Sequence, residues 1–599
     1  MFNVYALQLS DFYPSATLPQ AIGTIWGYAN QDEIIFNNYK MVDVFWQNES
    51  AADIIKQIKD PHVLMCSCYV WNWDRTYSVI KWVKKNYPEC LIIIGGPEPE
   101  YTVEWMQKHL EIDILIPYYG EITFKNILIE NLKNKNFEAI NGIITKNKFN
   151  TGYQSPNFEE IPSPYLNGFF DWLLQKRLAE TRSIRCVFES NRGCPYSCTF
   201  CDIGSLNYQK IKIFEFDRVF NELKWIVENK IDVVDVADAN FGILPRDETI
   251  VDKLIELKHN HNWKGRFLPT WSKAKGDRVL RIAKKVVNGG LDSIFGLSLQ
   301  SLNPQTLKNI KRINAFTLDD LSEIVEDMNK DNIDVYTELI FPMPGDTLDN
   351  FKEGLYKVLD MPSVFNKFQI NHLSKYSNAE FSNKEYNQKF NIEWAKIKGF
   401  TRHYHGTNSE DTIAVSVNNL SKNDTFEGLF FSKCVFIPFY FYGIIMNTVN
   451  TLHKNNEISR KSFFIDLEQK LNQSKWFQIF KEESRDNYFS SISGKRQFGY
   501  NFSSDPKQFF PEFAHSHKTY IDNDIHNFLK DWYPHYRDLL LYDENSLWKG
   551  YEEEKIVTID NQEWLFKDKR SMSKDEYYNQ IYIIGRFDDR WRKKYIRKI

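Results

Sequence analysis

Several things are scarce in this chain, and each scarcity narrows its role. Eight cysteines occur in 599 residues, none of them in the paired spacing of a secreted disulfide framework, so a reducing, cytoplasmic setting is expected. The formal charge of −4 is close to balance, which excludes bulk attraction to nucleic acid or to an acidic membrane and leaves partner choice to local features. The opening MFNVYALQLSDFYP lacks a basic stretch followed by an apolar core, so no signal peptide is expected. The longest apolar run, Leu429 to Met446, is interrupted by Ser432, Lys433, Pro438 and Gly443; it reads as a buried, proline-kinked helix and not as a membrane span. No repeat period, low-complexity tract, catalytic carboxylate pair or nucleophile triad presents itself.

What is present is concentrated in one loop. Arg192-Gly193-Cys194-Pro195-Tyr196-Ser197-Cys198-Thr199-Phe200-Cys201-Asp202 spaces three cysteines as C-x3-C-x2-C directly after the apolar strand pattern Ile184 to Phe188. Three thiolates on one loop can take three corners of a four-iron, four-sulfur cluster and leave the fourth iron open for chemistry. A structural zinc site would need a fourth ligand, and the next candidate, His259, lies beyond a helix pattern. The run with Phe200 before the last cysteine resembles the signature of the radical S-adenosylmethionine (radical SAM) enzymes. That resemblance implies that Cys194, Cys198 and Cys201 bind the cluster. It also implies that the open iron holds SAM, which the reduced cluster cleaves to methionine and a 5′-deoxyadenosyl radical.

Ahead of this loop, residues 1–150 alternate strand patterns (Asn3–Leu9, Met41–Phe45, Val63–Cys68, Leu91–Ile94, Ile112–Ile116) with helix patterns (Pro19–Asn30, Ala51–Lys59, Trp73–Asn86, Val103–Leu110, Thr123–Lys133). This alternation predicts an α/β, doubly wound parallel sheet, Rossmann-like in class. Its ligand rim comprises Tyr69-Val70-Trp71-Asn72, Gly95-Gly96-Pro97-Glu98 and Tyr118-Tyr119-Gly120-Glu121 at the carboxyl ends of strands. Glycine there either admits a flat ligand or makes a tight turn. No G-x-G-x-x-G follows the first strand, which argues against a dinucleotide. The order of these loops resembles the cobalamin-binding domain that precedes the barrel in one branch of the superfamily, which implies cobalamin contacts from Trp71, Asn72, Gly95, Gly96, Gly120 and Glu121. The D-x-H-x-x-G lower-ligand motif is missing: Asp11 to Ser15 stand in its place, His62 precedes a strand at the opposite rim, and no histidine is expected on the cobalt.

Residues 151–182 read as a proline strap (Ile161 to Leu166) and a helix (Phe169 to Leu178) crossing between domains. Residues 183–385 carry six strand patterns separated by helices: Ile184–Glu189, Val233–Ala237, Arg266–Trp271, Ser293–Leu299, Val335–Phe341 and Phe368–Leu373. Six such units predict a partial (β/α)6 barrel with the cysteine loop at its catalytic end. The resemblance implies SAM contacts from Asp238 and Asn240 after the second strand, Gln300 after the fourth, Arg312 twelve residues later and Glu338 in the fifth. A guanidinium suits a carboxylate because it can form two parallel hydrogen bonds. Equally, Arg312 could be a solvated helix end and Asp238 a helix cap.

Residues 386–599 read as a mainly helical, aromatic-rich domain whose aromatic stripes belong to a core. His403-Tyr404-His405 and His515-Ser516-His517 each offer two imidazoles, too few for a structural metal site. Cys186 and Cys434 read as buried thiols, and the basic tail Arg586 to Ile599 as a solvated end. The family resemblance implies a cobalamin-dependent methyltransferase acting on an unactivated carbon of a small-molecule or peptide substrate, supplied with electrons by a partner such as flavodoxin or ferredoxin. A non-methylating radical enzyme that rearranges or cyclises, and an iron–sulfur sensor without turnover, are the alternatives.

Overall fold

The apolar runs of the N-terminal region become the strands of one seven-stranded sheet in the computed structural model of the protein. It describes residues 1–10, 15–152, 154–177, 183–204, 210–273, 276–292, 294–312, 316–362, 365, 367–398, 410–436, 449, 453, 456, 458–493, 554–559, 562–568 and 594–598. The sheet comprises β1 (Phe2–Leu7), β3 (Tyr39–Phe45), β4 (Val63–Ser67), β5 (Leu91–Gly95), β6 (Ile114–Ile116), β7 (Ile143–Ile144) and β8 (Phe149–Asn150), in the order β3-β1-β4-β5-β6-β7-β8. The first five run parallel, and the β7–β8 hairpin adds antiparallel at the edge. The helices between them are α1 (Gln20–Ala29), α2 (Glu33–Asn38), α3 (Ala51–Gln57), α4 (Trp73–Asn86), α5 (Val103–Lys108) and α6 (Glu121–Asn131). Tyr5, Leu7, Leu64, Cys66, Ile92 and Ile94 pack with Ile54, Val79, Ile80, Val83 and Met106 of α3 to α5. Alternation along the strands turns the remaining side chains to the other face, where α1 and α6 pack together. Burial on both faces explains the nearly unbroken aliphatic runs. Because β3 lies on one side of β1 and β4 on the other, the strand order reverses beside β1, and sheets of this kind take their ligands outside the carboxyl ends at that reversal.

Two elements depart from the sequence reading. The helix α2, capped by Asp32 through the Ile34 N–H, precedes β3. The short strand β2 (Ser15–Thr17) leaves the first sheet and pairs parallel with β9 (Ser183–Phe188). The loop expected from Asp11 to Ser15 is therefore fixed at its end by the sheet that carries the cysteines; Asp11, Phe12, Tyr13 and Pro14 lie outside the described residues.

After the strap, α7 (Phe169–Arg177) leads into β9, and all six expected barrel strands form. The sheet β13-β12-β9-β2 unites β12 (Val233–Val236) and β13 (Arg266–Leu268) with the two named above, and the hairpin of β10 (Asn191–Arg192) and β11 (Lys212–Ile213) flanks the cysteine loop. A second parallel sheet holds β14 (Ile294–Gln300), β15 (Asp334–Phe341) and β16 (Lys367–His372) in that order. Helices α8 (Phe216–Glu228), α9 (Arg246–His261), α10 (Asp277–Asn288), α11 (Pro304–Asn309), α12 (Leu318–Lys330) and α13 (Leu348–Leu359) make the connections. Side-chain caps at Asn303, Thr317 and Thr347 start the last three by satisfying backbone N–H groups.

Contacts gather the chain into two compact units. The first comprises Met1–Asp292 and Lys375–Asn387 with Thr401–Ser409, the second Ser293–Ser374, Gln388–Phe400 and Glu410–Ile599. The chain passes from the first to the second within α14 (Lys384–Phe390); the second then holds the antiparallel pair β17 (Glu393–Lys398) and β18 (Glu410–Ser416), followed by α15 (Lys422–Phe430), α16 (Arg460–Gln473) and α17 (Lys475–Ile492). The aromatic stripes are core, as expected: Phe426, Phe430, Phe463, Phe464 and Tyr488 are buried. The strands β19 (Glu554–Ile559), β20 (Gln562–Asp568) and β21 (Lys594–Lys598) form an antiparallel sheet in a region read as helical. Of the apolar run from Leu429, a π-helical turn at Phe431–Phe436 is seen; the remainder to Met446, both histidine pairs and the side chain of Cys434 lie outside the described residues. Among the described residues no helix is long and apolar enough to cross a membrane.

Candidate functional site

The cysteine loop begins where β9 ends. Burial pushes the Asp238 carboxyl up to about 7, against the pull of its donors: it accepts from the Ser190 N–H at 2.8 Å, the Asn191 N–H at 3.0 Å and the Ser190 hydroxyl. Asp238 thus fastens the start of the loop to the end of β12. Cys194 and Cys198 are buried and Cys201 half-buried, all as free thiols. The turn is drawn tight by the Cys201 N–H to the Cys198 carbonyl at 3.2 Å and the Gly204 N–H to the Cys201 carbonyl at 3.0 Å. A Cβ at Gly204 would strike that same Cys198 carbonyl, so the loop closes only with glycine there.

Hydrogen bonds also reach the sulfurs. Asn240 donates its amide to Cys194 Sγ at 3.1 Å. Burial pushes the Cys201 thiol up, while backbone N–H groups of Ile203 and Gly204 pull it the other way. Such donors to ligating sulfur tune an iron–sulfur centre. Among the described residues no three His, Cys, Asp or Glu side chains close on a single-ion position. Three thiols on one short loop, two of them receiving N–H donors, fit instead the separate corners of a cuboidal cluster, which Cys194, Cys198 and Cys201 would hold. Asn240 is 3 % exposed and its Oδ1 has no partner, a buried acceptor with capacity for a ligand donor beside the cluster.

The rim of the first sheet separates its expected residues into two kinds. Trp71 is 39 % exposed and stacks on Tyr69 at 4.5 Å, nearly coplanar, presenting a flat apolar face. Asn72 is fully buried: its Oδ1 accepts from the Tyr69 N–H at 2.8 Å and its amide donates to the carbonyls of Ser67 and Leu9. It clamps the β4 loop and has no face for a ligand. Gly96 has φ +99°, and a Cβ there would collide with the Cys68 backbone, so the tight-turn reading of that glycine holds. A Cβ at Gly95 would lie 3.3 Å from the Ile116 carbonyl and one at Gly120 3.0 Å from Ile25. His62 receives the Asn3 N–H at 3.2 Å, at the amino end of β4 and away from this rim.

Glu121, at the first position of α6, is 2 % exposed and accepts from Arg192 Nη1 at 2.6 Å. Arg192 stands two residues before the first cluster cysteine. It is also held by both oxygens of Glu189 and lies over the rings of Phe158 and Phe214. Burial works against its charge, but the two carboxylates more than offset this and leave its pKa raised. The second Glu121 oxygen is buried without a partner. A half-exposed aromatic face, an unpartnered acceptor and a histidine-free rim fit a corrin ring with its carboxamide arms. Trp71 and Glu121 are the residues that would hold it.

In the second unit, Glu338 of β15 collects uncharged donors: Ser298 Oγ at 2.9 Å, Gln300 Nε2 at 3.0 Å, Tyr336 OH at 2.9 Å and Asn371 Nδ2 at 3.5 Å. A bulge between Ser298 and Gln300 and φ +69° at Gln300 re-aim the end of β14. Gln300 Oε1 is left buried without a partner. Arg312 is 5 % exposed and donates to the Ser298 carbonyl, so it is no solvated helix end. Glu338, Gln300 and Arg312 therefore share one network around Ser298.

Sequence reasoning gave no site role to three residues of the first unit. Tyr69, placed only within the rim loop, supports Trp71. Glu189 completes the grip on Arg192. Asp202, directly after the last cysteine, is half-buried, its carboxyl pushed up to about 6 by the loss of solvent and held by the Asn378 N–H. A charged pair flanking the cysteine motif, Glu189 and Arg192, was the available signal for the second.

Comparisons with known proteins identify the domains that carry these residues. Residues 188–355 match the radical SAM superfamily, and residues 31–128 match the B12 binding domain. The chain is 32 % identical over 365 residues to the cobalamin-dependent radical SAM methyltransferase TokK of Streptomyces tokunonensis, covering 60 % of this chain and 53 % of that protein. It is 31 % identical over 350 residues to the 2-(S-pantetheinyl)-carbapenam-3-carboxylate methyltransferase of Streptantibioticus cattleyicolor, covering 57 % and 51 %. The chain thus spans about half the length of the curated relatives it matches. The fold matches the solved structure of the cobalamin-dependent SAM radical enzyme OxsB with a TM-score of 0.56 at 15 % identity, over 90 % of this chain and 84 % of that one. The two domains account for the expected cofactors, a four-iron, four-sulfur cluster with SAM and cobalamin. The chain carries a radical SAM domain over residues 188–355, preceded by a B12-binding domain over residues 31–128.

Proposed function

We propose that the protein is a methyltransferase that delivers a methyl group to an unactivated carbon of a small-molecule or peptide substrate. The observation that carries this reading is the Arg192 ion bridge, which joins the cluster loop to the cobalamin rim within one compact unit. When bound, the cofactors supply a carbon-centred radical and a transferable methyl group. The side chains of this chain position, enclose and tune. Cys194, Cys198 and Cys201 ligate the cluster, and Asn240 hydrogen-bonds a ligand sulfur and offers Oδ1 to SAM. Trp71 and Glu121 would seat the corrin. By the family resemblance, Gln300 and Glu338 would take the ribose and Arg312 the carboxylate of SAM. Electrons come from a flavodoxin- or ferredoxin-like donor. The relatives named as methyltransferases support the class of chemistry.

The test is anaerobic reconstitution with cluster and cobalamin, followed by SAM and a low-potential reductant. Formation of both 5′-deoxyadenosine and S-adenosylhomocysteine is the expected result. 5′-Deoxyadenosine alone, with cobalamin retained, would replace methyl transfer by a rearrangement or cyclisation; neither product would leave an iron–sulfur protein without turnover.

A further inference from the structure

The segment between β16 and β17 holds a feature that neither cofactor domain accounts for. Residues Lys375–Asn387 belong to the first compact unit, although the chain on both sides of them belongs to the second. The segment is stiffened from within: Ser382 Oγ donates to the Tyr376 carbonyl at 2.6 Å, and Asn387 Nδ2 to the carbonyls of Phe381 and Asn383 at 2.9 and 2.8 Å. These bonds, with a 3-10 turn at Glu380–Ser382 and the first turn of α14, hold the short strap in one conformation.

Its outward bonds reach two places. Toward the cobalamin rim, Asn378 Oδ1 accepts the Tyr101 N–H at 3.0 Å, and its amide donates to the carbonyls of Pro97 and Pro99 at 3.1 and 3.0 Å. One side chain thereby occupies three backbone groups of the loop after β5, two of them prolyl carbonyls. Toward the cluster loop, the Asn378 N–H bonds the Asp202 carboxyl, the Phe381 N–H donates to the Thr199 carbonyl at 3.0 Å, and Tyr386 and Thr199 share a hydroxyl bond at 3.1 Å. Thr199 and Asp202 flank Cys201 on either side. The same residue, Asn378, therefore touches both loops, through its side chain on one and its backbone on the other.

We infer that Asn378 is a positioning residue that fixes the separation between the corrin and the cluster. The inference rests on the proposed seating of cobalamin at this rim. Asn378 touches neither cofactor; it acts through the Pro97–Tyr101 loop and through Asp202. An aspartate would keep the acceptor for Tyr101 and lose both donors. Glutamine would keep the groups and lose the reach.

The experiment is a distance measurement on the full chain carrying the cluster and hydroxocobalamin. Dithionite reduces both to paramagnetic forms, and pulsed dipolar electron paramagnetic resonance reads their separation. Wild type should give one narrow distribution. Asn378→Ala and Asn378→Asp should each broaden it about twofold or more while iron content stays at the wild-type level. Cobalamin affinity should fall only about fivefold, the scale of one lost neutral hydrogen bond. A purely structural asparagine would lower the melting temperature without moving the distribution, so an unchanged distance in both variants overturns the inference and leaves the proposed function intact. Wild type that retains no cobalamin overturns the seating, and the inference with it. Should the Ala variant fail to fold, the Asp variant alone decides.

Discussion

Two regions of this molecule hold glutamates in largely enclosed networks, and they hold them in opposite ways. Beside the cysteine loop, Glu121 and Glu189 close on one guanidinium, Arg192, so charge meets charge inside the protein. In the second unit, Glu338 is surrounded by hydroxyls and amides of Ser298, Gln300, Tyr336 and Asn371, with no cation among these partners. The first arrangement is a fastener: a buried ion set fixes geometry, and removing one member exposes the others to a large desolvation cost. The second differs in kind, because uncharged donors orient a carboxylate without cancelling its charge, and a polar ligand could exchange with them.

The strongest way to break that contrast is to dissolve the loop the fastener serves. Alanine at Cys194, Cys198 or Cys201 should abolish cluster retention and SAM cleavage altogether, whereas Cys434→Ala should load iron normally. Iron and sulfide analysis checks this, and equal iron loss from the Cys434 variant would overturn the ligand assignment.

The contrast itself is sharpened by Arg192→Met against Glu338→Gln. The first leaves two carboxylates buried without a cation and should destabilise the protein by about 3–5 kcal/mol in urea unfolding. The second loses only hydrogen bonds to uncharged groups and should cost about 1–2 kcal/mol. Equal losses would mean that both networks are fasteners.

Next in size, Arg312→Ala should weaken SAM binding by about ten- to a hundredfold, the scale of a charge-assisted contact of roughly 1.5–3 kcal/mol, with the cluster retained. Lysine should rescue in part, since it keeps the charge and loses the planar fork. Unchanged affinity in equilibrium binding would leave Arg312 with only its bond to Ser298.

The smallest effect separates buried carboxyls without cations from paired ones by pH. Burial pushes the Asp346 carboxyl up to about 7, against the lowering effect of its bonds from Thr306 Oγ1 and the Met343 N–H. In an open chain an aspartate titrates near about 3.9. The folded state then holds the extra proton between those values, so this group's contribution to stability is present below about pH 4 and is lost as pH rises toward about 7. Asp346→Asn should flatten the fall in stability across that window; an identical slope in pH-dependent unfolding would show that the carboxyl is ionised in the fold.

Much of this was legible in the sequence, for reasons that differ by residue. Strands such as Leu91-Ile92-Ile93-Ile94 declare themselves because burial on both faces demands an unbroken apolar run. The cysteine triplet is legible because its spacing is the chemistry. Gly96 and Asn72 were ambiguous for the opposite reason: glycine serves a tight turn and a close ligand equally well, and a buried amide that clamps carbonyls carries the same letter as one that meets a cofactor. Asn378 could not be found at all, since its partners Pro97, Pro99 and Tyr101 are almost three hundred residues away and only folding brings them together. The strand β2 was hidden by brevity, three residues being too few to show a period.

That strand has a consequence for how the protein could be divided. Ser15–Thr17 covers one side of β9, whose other side pairs with β12. A chain cut back to begin at the proline strap would leave a row of bare N–H and C=O groups on the strand leading to the cysteines, an open template for another chain to add to. The N-terminal region is thus a guard against self-association for its catalytic neighbour, and the two cannot be parted at the linker without exposing the strand that carries the cluster loop.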